Sequence, residues 1–451
     1  MRVLYKVTDF VEDKISLKVR LGKGRFYESP DEAGLGLLTE LVFLPGGLEA
    51  HNQEELELIL EGHQVGWSFQ AKEDAFIFNG TTNRKGLLKQ LQLLAAYLTA
   101  PGYREESLPP ARRKIPEIYH QAESTIRGQL DNDVSRWLAG GDHRFGLPDM
   151  EQLLSYTMKD VQIYLNPQLR GEKLEISIVG DFDPEVLEEA LQKTVGAMPR
   201  RGGITIEMDE GGEKLFKMFQ ETFAEMLKDE DLSDDVRREL KRFVETPLPR
   251  ELMALSRPKP GQKKTFFYES GDGAGRVNVY WAIPDRIDAG QDRRLSILAE
   301  VFSERMRREI DEELLTEFRP VAISRPSTTY QGQGWFVAAV KTSPDNAESM
   351  AGIVLKMAED LAQNGVGEKE WNRTIDQYQR SIRHAHRTNQ YWLSSVLYGS
   401  HDQSEKIFRA RDMDQDLASI NVEKINSLAA SYLSKEKGLT VLVLPREREG
   451  N

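Results

Sequence analysis

The 451-residue chain contains no cysteine, which removes thiolate metal sites, thiol nucleophiles and disulfides without assigning a compartment. No serine stands in a Gly-x-Ser-x-Gly elbow, so that hydrolase signature is missing as well. No apolar run reaches the roughly 18 residues that a membrane-crossing helix needs. Basic charge is in short supply: 60 Lys and Arg against 73 Asp and Glu leave a net charge of −13. That balance argues against a nucleic-acid binder held by phosphate neutralisation and leaves neutral or basic polypeptides as partners. Histidines are few. His63, His120, His143 and His401 are scattered without ligand spacing, and His384 and His386, two apart, point to different faces of a helix. The first residues, MRVLYKVTDF, alternate like a strand and do not read as an export signal.

What is present is a globular composition, 29% charged and 39% hydrophobic, on a chain long enough for two large domains. One charge stands out. In Gly34 to Leu48, GLGLLTELVFLPGGL, the carboxylate of Glu40 sits among Leu37, Leu38, Leu41, Val42 and Phe43. A lone buried carboxylate is costly, so it needs a partner, a metal or a solvent-facing angle. Ahead of it, Ile15 to Leu21 alternates as a half-buried strand. After it come the Gly46-Gly47 breaker, a short helix around Asn52 to Leu60, and two alternating runs, Val65 to Phe69 and Ala75 to Phe78, that read as antiparallel strands. Lys85 to Leu98 has helical spacing, more helices run to about Tyr164, and Leu174 to Val179 is a strand before the helix opened by Asp183-Pro184.

The second half replays this order. Val277 to Ile283 answers Ile15 to Leu21 at an offset of 262, Thr342 answers Thr81 at 261, Leu361 answers Leu98 at 263, and Leu439 answers Leu174 at 265. The agreement predicts two copies of one α+β unit, each an antiparallel sheet covered by helices on one face, over residues 1–201 and 272–451. Residues 202–271 read as a charged, partly helical linker. Leu215, Phe216, Phe219, Phe223, Met226 and Leu227 form one apolar face, and Leu232, Val236, Leu240, Phe243 and Val244 form another after the cap Ser233. A hairpin packed on the body is the plain expectation; a lid or docking element is the sharper one. The prolines at 247, 249, 258 and 260 then make a stiff tether.

The runs GLGLLTELVFLPGGLEAHNQEELELILEG, EDAFIFNGTTNRKGLLKQLQLLAAYLTAPGYREESL, GGDHRFGLP and VGDFDPEVLEEAL resemble one domain of the M16 peptidases, the insulinase and pitrilysin family of inverted-motif zinc proteases. RTNQYWL and the closing LTVLVLP are similar to the domain that follows it in that family. The resemblance implies a fold of repeated M16-type (LuxS/metallohydrolase-like) domains, two per half, with two halves closing around a peptide and only one half holding zinc. Its chemistry needs His-x-x-Glu-His, where two imidazoles one helical turn apart bind metal and the Glu activates a bound water. Aligned to that motif, Leu37 and Leu41 stand at the two histidines and Glu40 at the glutamate. Leucine cannot ligate zinc, and Glu40 with Glu117 or Glu123 of the downstream helix would not hold a catalytic metal tightly. The expectation is no catalytic residue and no metal or other cofactor in this chain, zinc in a partner half, and leucines that restore a continuous apolar core face.

The resemblance further implies an Arg and a Tyr in the second domain that reach the substrate. Here the matching segment offers Arg307 or Arg308, and Phe318 where the Tyr belongs, so the phenol hydroxyl is lost. The segment His51 to Glu55 mimics the inverted motif with its last His replaced by Glu, and is read as an ordinary helix start. A third family feature is a sheet edge to which extended substrate adds as a strand. The functional expectation is the non-catalytic half of an M16 metalloendopeptidase, one wall of a chamber that helps bind a peptide or small protein, with no nucleic acid and no membrane span. The alternative is a silent M16-like scaffold. The opening strand favours a C-terminal half of a longer protease over a natural subunit, and bacterial periplasm or cytoplasm are the compartments the resemblance suggests.

Overall fold

The computed structural model describes residues 1–171, 173–199, 210–228, 253–269 and 273–446 apart from residues 286, 316–318, 402 and 404, together with residues 232, 233, 236, 237, 240 and 244. The chain divides into two units. The first comprises Met1–Ile115, Pro148–Leu252 and Thr388–Asp402; the second comprises Pro116–Leu147, Met253–Arg387 and Gln403–Asn451.

Each unit is built on a five-stranded sheet. In the first, β1 (Arg2–Val7), β2 (Ile15–Leu21), β3 (Trp67–Ala71), β4 (Phe76–Thr82) and β5 (Leu174–Gly180) lie in the order β1-β5-β2-β4-β3. In the second, β6 (Lys263–Tyr268), β7 (Gly275–Ala282), β8 (Val321–Arg325), β9 (Trp335–Thr342) and β10 (Leu439–Pro445) lie in the order β6-β10-β7-β9-β8. Adding five to each label of the first sheet reproduces the second, so the copies share one topology. The sheets are not wholly antiparallel. β1 pairs with β5, and β6 with β10, in parallel, because a long helical excursion separates the members of each pair in sequence. β6 also falls inside the stretch read as linker.

The alternation of β2 is realised side by side: Ile15, Leu17, Val19 and Leu21 are buried while Ser16, Lys18 and Arg20 are half-buried. Its partners Ile176 and Ile178 on β5 and Phe78 on β4 point the same way. The helices of this unit include α1 (Leu35–Val42), α2 (Gln53–Leu60), α3 (Leu87–Thr99), the part of α4 (Leu108–Ser124) up to Ile115, α5 (Met158–Gly171) and α6 (Pro184–Lys193). Each fully buried Leu, Ile or Phe of this layer contributes about 1.5–3 kcal/mol. In the second unit, Val277, Val279 and Trp281 face α8 (Ala289–Glu309), α9 (Ala347–Asn364) and α11 (Val422–Tyr432), with α10 (Glu368–Ala385) outside them. α7 (Glu210–Met226) carries the stacked pair Phe219 and Phe223, with Phe219 and Met226 exposed. Of the second apolar face expected there, Val236 is exposed and Phe243 lies outside the described residues.

Two features were not expected. The repeat's equivalent threonines are Thr82 and Thr342, not Thr81: both are buried at strand ends, and their hydroxyls donate to the Gln64 and Leu314 carbonyls at 2.6 and 2.5 Å. The second feature is an exchange. Residues 116–147 from the first sequence copy belong to the second unit, and residues 388–402 from the second copy belong to the first. The two segments are themselves repeats, each opened by a threonine cap (Thr125 to the Gly128 amide, Thr388 to the Tyr391 amide) and running into a π-helical turn. They pack on the sheet face away from the long helices, so neither sheet is covered on one face only.

Candidate functional site

α1 is the element that bears the motif positions. Gly34 opens it at φ 92°, where a Cβ would also stand 2.5 Å from the Pro148 ring, so glycine is required twice over. A short helix leaves N–H groups unpaired at its start, and one of them, Gly36 N–H, donates to the buried carboxylate of Glu28 at 2.6 Å. The Tyr164 hydroxyl donates to the same Glu28 oxygen at 3.3 Å. Burial pushes the Glu28 carboxyl up to about 7, against the opposing pull of Arg25 and of the Gly36 and Gly34 amides. The same burial, with the Glu28 charge beside it, raises the Tyr164 phenol well above its usual range. Composition gave no hint of Glu28. Its only signal is position, a carboxylate just ahead of a helix start.

Along α1, Leu35, Gly36, Leu38, Thr39 and Val42 are buried, whereas Leu37, Glu40 and Leu41 are half-buried. Positions 37, 40 and 41 share one face by the helical period, and that face is not core. The leucines therefore do not complete a continuous buried surface, contrary to expectation; the motif face persists as a half-open apolar face around one carboxylate. Glu40 is held there by the sheet: its Oε2 accepts the Ala71 amide of β3 at 3.1 Å. Two leucines and one engaged carboxylate do not form a zinc donor set. Glu117 and Glu123 belong to the second unit, beyond Pro116 of α4. Among the described residues no group of His, Asp and Glu converges as a metal site. His51 is exposed and 3.6 Å from Glu55 at the start of α2, where Asn52 and Glu55 form a capping box. Close by, Leu44, Gln53, Leu56, Glu57, Trp67 and Leu93 are among the residues lining a half-open pocket of about 320 Å³.

The second predicted cluster is described only in part. Arg307, half-buried in the last turn of α8, pairs with Glu300 at 2.8 Å and Glu304 at 3.3 Å on its own helix. Arg308 is exposed, and Phe318 lies outside the described residues. The arginine with a built environment is Arg305. It is buried and binds both Glu370 oxygens at 3.0 and 2.7 Å, Asp360 at 3.0 Å and the Gly365 carbonyl at 3.0 Å. Helical phase could have found it, because position 305 falls on the face of Leu298, Val301 and Phe302.

Residues 155–378 match the family model for the Peptidase M16 inactive domain. The chloroplastic stromal processing peptidase of Pisum sativum is 22% identical over 445 residues, covering 93% of this chain and 34% of the pea protein. This chain thus spans about a third of that relative's length. Among solved structures, a protease from Helicobacter pylori superposes with a TM-score of 0.73 at 14% identity, over 98% of this chain and 97% of that one. The periplasmic protease PqqL from Escherichia coli superposes with a TM-score of 0.69 at 15% identity, over 96% of this chain and 43% of that one. No helix among the described residues is long and apolar enough to cross a membrane.

Proposed function

Because the chain belongs to the M16 peptidase family, through the inactive domain matched at residues 155–378, we propose that it is a non-catalytic half of an M16 zinc metalloendopeptidase. In this reading it forms one wall of a closed chamber and helps bind a peptide or small-protein substrate, while a partner half, on the same polypeptide or a separate subunit, carries the zinc. The observation that carries the reading is α1: the motif helix is built, capped and half-open, with leucine at both ligand positions. The likeness to PqqL supports it, since this chain covers less than half of that protease. A role for Arg307, Arg308 or Phe318 in contacting substrate stays within the same proposal.

The test is reconstitution. The chain is mixed with an M16 half bearing an intact His-x-x-Glu-His, and cleavage of an internally quenched peptide is followed with and without a chelator. The expected result is no cleavage by the chain alone, no stoichiometric zinc in it by elemental analysis, and chelator-sensitive cleavage by the mixture beyond that of the zinc half alone. Stable association without any gain in cleavage would support the silent scaffold instead. Chelator-resistant cleavage by the chain alone would overturn both readings.

A further inference from the structure

Glu40 sits at a sheet edge. β3 is the terminal strand of its sheet, with β4 on one side and no strand beyond it among the described residues. The hairpin fixes which way its backbone groups point. Lys72 N–H donates to the Ala75 carbonyl at 2.8 Å, so Lys72 and Ala75 form a hydrogen-bonded pair. In an antiparallel ladder such pairs alternate with pairs whose groups point outward. With Ala71 opposite Phe76, Phe69 opposite Phe78 and Trp67 opposite Gly80, the outward residues are Ala71, Phe69 and Trp67. The Glu40 contact agrees, because the outward Ala71 amide is the one its carboxylate takes.

An outward row of amides and carbonyls is a template for an added strand. Phe69 and Trp67 present such groups. Ala71 presents only its carbonyl, since its donor is filled by the Glu40 carboxylate. A strand extended past Phe69 would have to bring a carbonyl oxygen to an amide already bound to a carboxylate, where two acceptors compete for one hydrogen and repel each other. We propose that Glu40 is a register stop: it closes the Ala71 end of the β3 edge and confines an added extended polypeptide to Trp67 and Phe69. The inference rests on the peptide-binding part of the function proposed above. It gives the surviving carboxylate of the motif a task that needs no metal.

The test uses the full chain without a partner half or zinc, so its outcome is independent of reconstitution. Backbone amide exchange is measured by NMR in the wild type, Glu40→Ala and Glu40→Gln, with and without a fluorescein-labelled (Thr-Val)3-Lys peptide whose binding is also followed by anisotropy. Gln keeps a side-chain carbonyl acceptor, so it separates the hydrogen bond from mere side-chain bulk. The expected result is Ala71 exchange at least tenfold faster in Glu40→Ala and within about threefold of wild type in Glu40→Gln. The peptide is expected to protect Phe69 in all three proteins, to protect Ala71 further only in Glu40→Ala, and to bind that variant at least threefold more tightly. Unchanged Ala71 exchange in Glu40→Ala, peptide protection added at Ala71 in the wild type, or no protection of Phe69 in any of the proteins would each overturn the proposal.

Discussion

The two units receive their exchanged segments on equivalent faces of equivalent sheets with different chemistry. In the second unit, Val134 and Leu138 join Phe266, Tyr268, Tyr280, Trp335, Val441 and Val443 in one apolar cluster, and Trp137 packs edge-on against Phe266. In the first, residues 388–402 bury Leu393, Val396 and Leu397 but also engage polar groups of the sheet. Lys6 lies over Trp392 and Lys18 over Tyr398, at 4.0 and 4.3 Å. Thr8 donates to Asn389 at 2.6 Å, and buried Glu175 accepts the Gly399 and His401 amides at 2.7 and 3.1 Å. Among the described residues, the Ser177 and Ser400 hydroxyls and the Asn389 amide nitrogen are buried there without a protein partner. The central strands record the difference: β7 is buried on both faces along most of its length, β2 on alternate residues only. Topology is therefore shared by the copies, while the first unit holds its segment with directional bonds in addition to apolar burial.

If the contrast is real, one substitution in each seam should separate the units. Leu138→Ala removes a buried side chain from the apolar seam and is expected to destabilise the second unit by about 3 kcal/mol. Glu175→Ala leaves two part-buried amides without their acceptor and is expected to cost the first unit about 1–2 kcal/mol. Hydrogen exchange followed by mass spectrometry assigns each loss to a unit. Loss of protection in the second unit on Glu175→Ala, with the first unaffected, would break the comparison.

A pH series sharpens it, because the raised carboxyl of Glu28 belongs to the first unit alone. Its folded state holds the proton more tightly than the unfolded chain, whose value is near 4.5. Below that pH both states are protonated and the contribution is complete. As pH rises from about 4.5 to about 7 the unfolded state ionises first and stability falls, by about 3 kcal/mol at most. Denaturant midpoints between pH 5 and 8 should show this decline for the first unit, and Glu28→Gln should flatten it. A wild-type slope that persists in Glu28→Gln would assign it elsewhere.

Much of this fold was legible in local patterns. The alternation in Ile15 to Leu21, the paired runs that became β3 and β4, and the repeat offsets all reflect periodicities that short-range sterics and burial impose. Which sheet a segment packs against is not periodic information, so the exchange of residues 116–147 and 388–402 was invisible, although their shared threonine-capped π-turns lie within the repeat offset. The parallel edge strands were missed for the same reason. At the motif, sequence gave the three positions but not their exposure. A helix of eight residues with leucine on several sides does not declare its buried face, and the bond from Ala71 to Glu40 depends on a strand some thirty residues away. Glu28 and Arg305 show the converse, charges whose burial becomes intelligible only once their partners are placed.

The smallest expected effect tests the exchange itself. Thr125 and Thr388 cap equivalent turns, accepting the Gly128 amide at 2.9 Å and the Tyr391 amide at 3.3 Å. Replacing such a cap by alanine costs about 1 kcal/mol. Because each turn belongs to the unit built from the other sequence copy, Thr125→Ala should lower protection in β6, β7 and β10, and Thr388→Ala in β1, β2 and β5. The polar seam offers the second loss fewer apolar contacts to absorb it, so Thr388→Ala should release its segment further than Thr125→Ala does. Equal release would mean that the cap, not the chemistry beneath it, sets how firmly each segment is held.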